Sequence, residues 1–96
     1  MNPLRDQTEL AGHWLLQDGK LVADANCHLI DDLVSEYLEL LALGIADGGW
    51  SRLFRDPEDG RLWELTYPES TMHGGGPPTL RAIDAAYASA TFGVQL

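Results

Sequence analysis

His73-Gly74-Gly75-Gly76 is the run in this chain that most resembles reaction machinery. It resembles the HGGG oxyanion loop of ester hydrolysis, in which backbone N–H groups stabilise a developing negative charge. Such a loop needs a nucleophile on a sharp G-x-S-x-G elbow. The serines are Ser35, Ser51, Ser70 and Ser89, and none sits in that setting. Metal chemistry fares no better. Cys27 and His28 are adjacent, and neighbours on a helix diverge by about 100°. His13 and His73 stand alone, with no C-x-x-C or H-x-x-x-H spacing. The expectation is no catalytic residue, no metal and no cofactor.

The carboxylates are more informative. Asp56, Glu58 and Asp59 fall in a turn and read first as turn residues. Glu64 lies among aromatics, with Arg55 or Arg61 as candidate partners. Between Leu21 and Ser51 there is no Lys or Arg, yet this stretch carries Asp24, Asp31, Asp32, Glu36, Glu39 and Asp47. Asp31, Asp32, Glu36 and Glu39 would share one helix face without a cation to relieve their repulsion. Like charges at i,i+4 cost a few tenths of a kcal/mol each. The face is either simply solvated or a docking surface for a basic partner.

These groups must be held by a small set of elements. Residues 8–16 alternate as a strand, Asp18-Gly19 marks a hairpin turn, and residues 20–23 form the return strand. Asp24 can cap a helix over residues 25–43, with Gly44 as its stop. Its apolar stripe is Cys27, Ile30, Val34, Tyr37, Leu38 and Leu41, widened by Leu33 and Leu40. Residues 50–55 and 61–67 form a second hairpin, closed by Asp56-Pro57-Glu58-Asp59-Gly60. Arg61, Trp63, Leu65 and Tyr67 lie on one face, and Leu62, Glu64 and Thr66 on the other. Residues 68–78, PESTMHGGGPP, form a loop. A second helix is expected from 79 or 80 to 90, with Leu80, Ile83, Tyr87 and Ala86 facing inward. The final TFGVQL reads equally as a frayed end or a short strand. The expected fold is α+β. Two β-hairpins form a small antiparallel sheet of about four strands, packed with one long and one shorter helix in the order β-β-α-β-β-α.

Ninety-six residues, 45% of them hydrophobic, make one domain with one core. The single cysteine permits no internal disulfide. No signal peptide and no apolar run near the ~20 residues of a membrane span are visible. A cytoplasmic protein is the expectation. The net charge of −9 disfavours nucleic acid and anionic membranes as partners.

The segment DPEDGRLWELTYPESTMHGGGPPTL, residues 56–80, resembles the signature of the immunity protein 27 family, small bacterial proteins encoded beside polymorphic, contact-dependent toxins. The likeness extends to Thr8-Glu9-Leu10-x-Gly12-x-Trp14, to Asp24-x-x-Cys27 and to Gly49-Trp50, and covers about residues 8–85. It implies a protein that binds and neutralises a cognate toxin in the producer's cytoplasm. Many such toxins are basic nucleases, which an acidic inhibitor would occlude. The resemblance also offers a second contact set, Glu64, Tyr67, Glu69 and His73, although Tyr67 and His73 read equally as braces for the glycine loop. Two readings from other classes stand beside it. One is a small enzyme using His73 and Glu64. The other is a homo-oligomeric interaction module; the sequence leaves the oligomeric state open.

Overall fold

Backbone pairing divides the chain differently from its periodicity. The computed structural model describes residues 7–44, 51–67 and 77–94. Along them run β1 (Glu9–Ala11), β2 (Trp14–Gln17), β3 (Lys20–Ala23), α1 (Ala25–Asp32), a π-helical turn (Leu33–Tyr37), β4 (Glu39–Leu43), β5 (Arg52–Arg55), β6 (Leu62–Thr66), β7 (Thr79–Ile83) and α2 (Ala85–Phe92). Five strands form one antiparallel sheet in the order β1-β7-β6-β5-β4, while β2 and β3 form a separate two-stranded ribbon. The α+β class and the hairpin over β5 and β6 are as expected. The β-β-α-β-β-α order is not.

The first expected strand is two. Gly12 interrupts it by packing tightly: its N–H donates to Pro78 O at 2.8 Å, and a Cβ there would lie 2.5 Å from Cys27 Sγ. So β1 joins the main sheet beside β7, and β2 turns away. Asp18 and Gly19 both take positive φ, 52° and 78°, the condition for a tight hairpin turn whose twist suits its strands.

The helix expected over 25–43 is the larger correction. Its start is as read: Asp24 accepts a hydrogen bond from Cys27 N at 2.9 Å. Its stripe is also as read through Tyr37, with Cys27, Ile30 and Leu33 buried. Beyond that the helix opens. Leu38 N–H donates back five residues to Leu33 O at 2.7 Å, and Leu38 is extended. Residues 38–43, Leu-Glu-Leu-Leu-Ala-Leu, are apolar at nearly every position, and such a run reads as helix or strand alike. The edge of β5 decides the matter, because its backbone groups need partners and residues 39–43 supply them. Gly44 is then no helix stop; its N–H closes the β4–β5 connection on Ser51 O at 2.7 Å.

The second helix is shifted in the same way. Residues 79–83 form β7 between β1 and β6, and the helix starts only after Asp84, whose carboxylate accepts from Tyr87 N at 2.7 Å. It runs on through Phe92 and ends at Gly93 (φ 68°), so the first residues of the ambiguous tail are helical. Its buried residues are Ala88 and Phe92; Tyr87, expected inside, is exposed.

The sheet is consequently covered on both faces, not one. Leu10, Phe54, Trp63, Leu65 and Leu80 pack with Ile30 and Leu33 of the α1 layer, and Tyr67 lies against this core. Leu53 packs with Ala88 and Phe92 of α2, flanked by Leu62 and Ile83. Trp63 is fully buried, at a strand position where truncation to alanine typically costs about 3–5 kcal/mol.

The Asp24 cap makes stability depend on pH. The Cys27 amide, above all, holds the Asp24 carboxyl below its usual range, against a smaller opposing effect of burial. A carboxylate depressed in the folded state contributes fully above its unfolded value, about 3.9, and that contribution disappears as pH falls through the lower folded value. Asp24→Asn can cap but cannot ionise. The urea midpoint of the native protein should exceed that of Asp24→Asn near neutral pH, and the gap should shrink as pH falls below the unfolded value and close once it has passed the lower folded one. A gap independent of pH would refute this assignment.

Candidate functional site

Three of the four carboxylates expected on the acidic helix are on it. Asp31 and Asp32 occupy the last turn of α1 and Glu36 the π-helical turn; all three are exposed. No cation pairs with them among the described residues. Ser35 Oγ donates to Asp31 O at 2.7 Å and so faces its own backbone. Negative charge at a helix C-terminus opposes the macrodipole, and neither helical segment has a basic residue in its last turn. Repulsion and dipole therefore both act against this placement, and nothing in the helix itself compensates.

Glu39 departs from the expectation. It lies on β4 opposite Arg55, and the two side chains form an ion pair of 2.8 Å. The stretch without Lys or Arg in sequence thus gains a cation at one of its carboxylates through strand pairing. The pair is half-exposed on both sides, so it contributes little to stability.

Glu64 is buried on the α2 face of the sheet, and its partner is neither Arg55 nor Arg61. Arg81, beside it on β7, donates to Oε1 at 2.8 Å. Tyr87 of α2 donates to the same carboxylate, 3.0 Å from Oε2 and 3.2 Å from Oε1. Arg81 lies over the Tyr87 ring at 5.4 Å. The outer members of this network, Arg81 and Tyr87, meet solvent, while Glu64 is buried. Arg61 instead pairs with Asp59 at 3.0 Å and stacks over Trp63.

A second buried carboxylate was legible only as a turn residue. Asp56 is wholly buried; its Oδ1 accepts from Tyr37 Oη at 2.7 Å and from Glu58 N at 2.8 Å. The end of the α1 layer is thereby fastened to the β5–β6 turn. Burial, followed by the Asp56 carboxylate, pushes the Tyr37 phenol far above its ordinary range, so it remains a hydrogen-bond donor at every physiological pH. Cys27 is buried on the apolar stripe, as read, and burial raises its thiol above the ordinary range. It is not in the state of a reactive thiolate.

Tyr67 is half-buried against the main core. Glu69 and His73, with the glycines after His73, lie outside the described residues. Among the described residues no three His, Cys, Asp or Glu side chains converge as a metal site, and no helix is long and apolar enough to cross a membrane.

The described surface also carries unpartnered leucines. On the ribbon these are Leu15 and Leu16, and on β4 they are Leu40, Leu41 and Leu43. Residues 38–43 hold the only sequence signal for the second group, an apolar run too continuous for one buried helix face. The chain therefore combines an acidic, cation-poor helix end with exposed apolar edges, the equipment of a binding surface.

No curated protein and no solved structure gives a significant match to this chain. The family model for immunity protein 27 matches residues 16–84, more than two thirds of the chain, and includes the first hairpin from Leu16 onward, the acidic helix end, the β5–β6 hairpin and β7. The chain belongs to the immunity protein 27 family.

Proposed function

We propose that this protein binds a cognate toxin domain of basic charge and neutralises it by stoichiometric occlusion in the cytoplasm of the producing cell. The match to the immunity protein 27 model carries this reading. The net charge of −9 supports a basic partner, because opposite fields accelerate encounter and discriminate against wrong partners. Asp31, Asp32 and Glu36 are the proposed electrostatic contacts. Their carboxylates are exposed and unpaired among the described residues, so no internal ion pair has to break on docking. Glu39 contributes less to this field, since Arg55 offsets it. Tyr67, Glu69 and His73, which follow β6 in the sequence, form the proposed second contact region. A nuclease is the toxin class that best fits an acidic inhibitor, whose carboxylates would take the place of nucleic-acid phosphates in a basic cleft.

The protein is proposed to act without chemistry of its own. Glu64, one of the two residues an enzymatic reading requires, is already engaged by Arg81 and Tyr87.

The proposal requires a secreted protein with a C-terminal toxin domain encoded beside this one, and the test uses that domain. Co-expression should restore growth of cells making that domain, and the purified pair should elute as a 1:1 complex. Growth arrest with no complex at micromolar concentrations would overturn the proposal. Restored growth at far less than one protein per toxin would indicate turnover and overturn occlusion.

A further inference from the structure

The sheet ends on one side at β4, whose outer edge pairs with no strand among the described residues. The opposite edge, β1, is only three residues long. Natural edge strands are guarded by shortness, proline, lysine or other charges, because unpaired N–H and C=O groups act as a template for another strand. β4 has five residues, Glu-Leu-Leu-Ala-Leu, with no proline or lysine, and its one charge is taken up by Arg55. Leu40, Leu41 and Leu43 are exposed at 55%, 36% and 53%.

A bulge orders these side chains. The register moves from Leu40 opposite Phe54 to Ala42 opposite Leu53, and Leu41 is the extra residue. In a regular strand Leu40 and Ala42 would share a face. The bulge instead turns Ala42 onto the α2 face, where it packs beside Leu53. Leu43 then joins Leu40 on the face that carries α1, since their partners Arg52 and Phe54 are two residues apart. Two half-exposed leucines thus stand at the open edge of the layer whose helix ends in Asp31, Asp32 and Glu36.

We propose that β4 is where the toxin docks, by adding an extended toxin segment to the sheet edge. Its apolar side chains would cover Leu40 and Leu43, and its basic side chains would face the α1 carboxylates. This rests on the toxin-binding reading above and adds its geometry. Main-chain hydrogen bonds supply affinity in this mode, and side-chain pockets supply selectivity. Charge selects the occupant. Antiparallel pairing of two β4 strands about a two-fold axis would place both α1 layers on the same side of a continuous sheet. Each would bring Asp31, Asp32 and Glu36 against one cation on that face at this edge, Arg52 opposite Leu43, so the negative charges outnumber it in both copies. A second copy is therefore the disfavoured occupant, and a basic strand the favoured one.

Leu40→Ser with Leu43→Ser changes side chains that are more than half exposed, so thermal unfolding should be nearly unchanged. Affinity for the toxin domain named above should fall ~30-fold or more, the loss expected of anchor residues. Hydrogen exchange on the wild-type complex gives a second, mutation-free reading: the β4 amides that do not bond to β5 should exchange at least ~10-fold more slowly than in the free protein. Wild-type affinity in the double variant, or unprotected β4 amides, would overturn strand addition while the wild-type complex still upheld toxin binding. A wild-type dimer in sedimentation that the double variant abolishes would assign the edge to a second copy and overturn the proposal. Absence of any wild-type complex would overturn toxin binding itself.

Discussion

Asp31→Lys, Asp32→Lys and Glu36→Lys together are expected to weaken toxin binding ~100-fold or more and to abolish protection of growing cells, without unfolding the protein. The three side chains are exposed and make no ion pair among the described residues, so reversal breaks nothing in the fold. Stability should hold or rise slightly. Lysines at the C-terminal end of a helical segment suit the macrodipole, while the like-charge repulsion between positions 32 and 36 is kept with its sign reversed. The effect on binding is larger because each reversal replaces an attraction with a repulsion at the interface. Close charge pairs across interfaces have shown couplings of about 1.5–7 kcal/mol. The loss should fall mainly on the association rate and should shrink as salt is raised. Titration calorimetry and stopped-flow at two salt concentrations would measure it. Unchanged affinity at low salt would remove this helix end from the contact surface.

Arg81→Ala should be the most damaging single change to a half-exposed side chain. Glu64 is buried to 4% of its side-chain surface, and Arg81 is the one cation that reaches its carboxylate among the described residues. Removing one member of a buried pair leaves an uncompensated charge and costs about 3–5 kcal/mol in typical cases. Two features reduce that here. Tyr87 would still donate to Glu64, and water can enter where the arginine stood, since Arg81 is 48% exposed. About 2–3 kcal/mol is therefore expected, a large share of the 5–15 kcal/mol that holds a small domain together. The urea midpoint should fall with little change in slope. In the Glu64→Gln background the same truncation should cost much less, because no charge is left stranded. Equal losses in the two backgrounds would show that Arg81 acts by packing and not by charge.

Local signals were the legible ones. Asp24 announced its cap, Asp18-Gly19 its turn and RLWELTY its alternating strand, and each depends on residues within a few positions. Trp63 in the core and Cys27 on the buried stripe followed from the same periodicity. The misread segments were residues 38–43 and 79–83. Both contain good helix formers, and neither has an internal pattern that separates strand from helix. Each became a strand because a neighbour distant in sequence offered an open edge: β5 for β4, and both β1 and β6 for β7. The pairing of Glu64 with Arg81 was hidden for the same reason, since it follows from register across the sheet, and that of Tyr37 with Asp56 was hidden because it joins the π-helical turn to the β5–β6 turn.

The amino-acid sequence by itself determined the charge of this protein, the acidic and cation-poor character of residues 21–51, its family and its hairpin turns, because these depend on composition and short spacings. Only the tertiary structure decided which of those acids remain unpaired. It paired Glu39 with Arg55, buried Glu64 beneath Arg81, left Asp31, Asp32 and Glu36 open to solvent, and turned an apolar helix end into the exposed edge of a sheet. The physical reason is that buried backbone groups must find partners, and where partners lie far apart in the chain, the sheet selects among conformations that local preference leaves nearly equal.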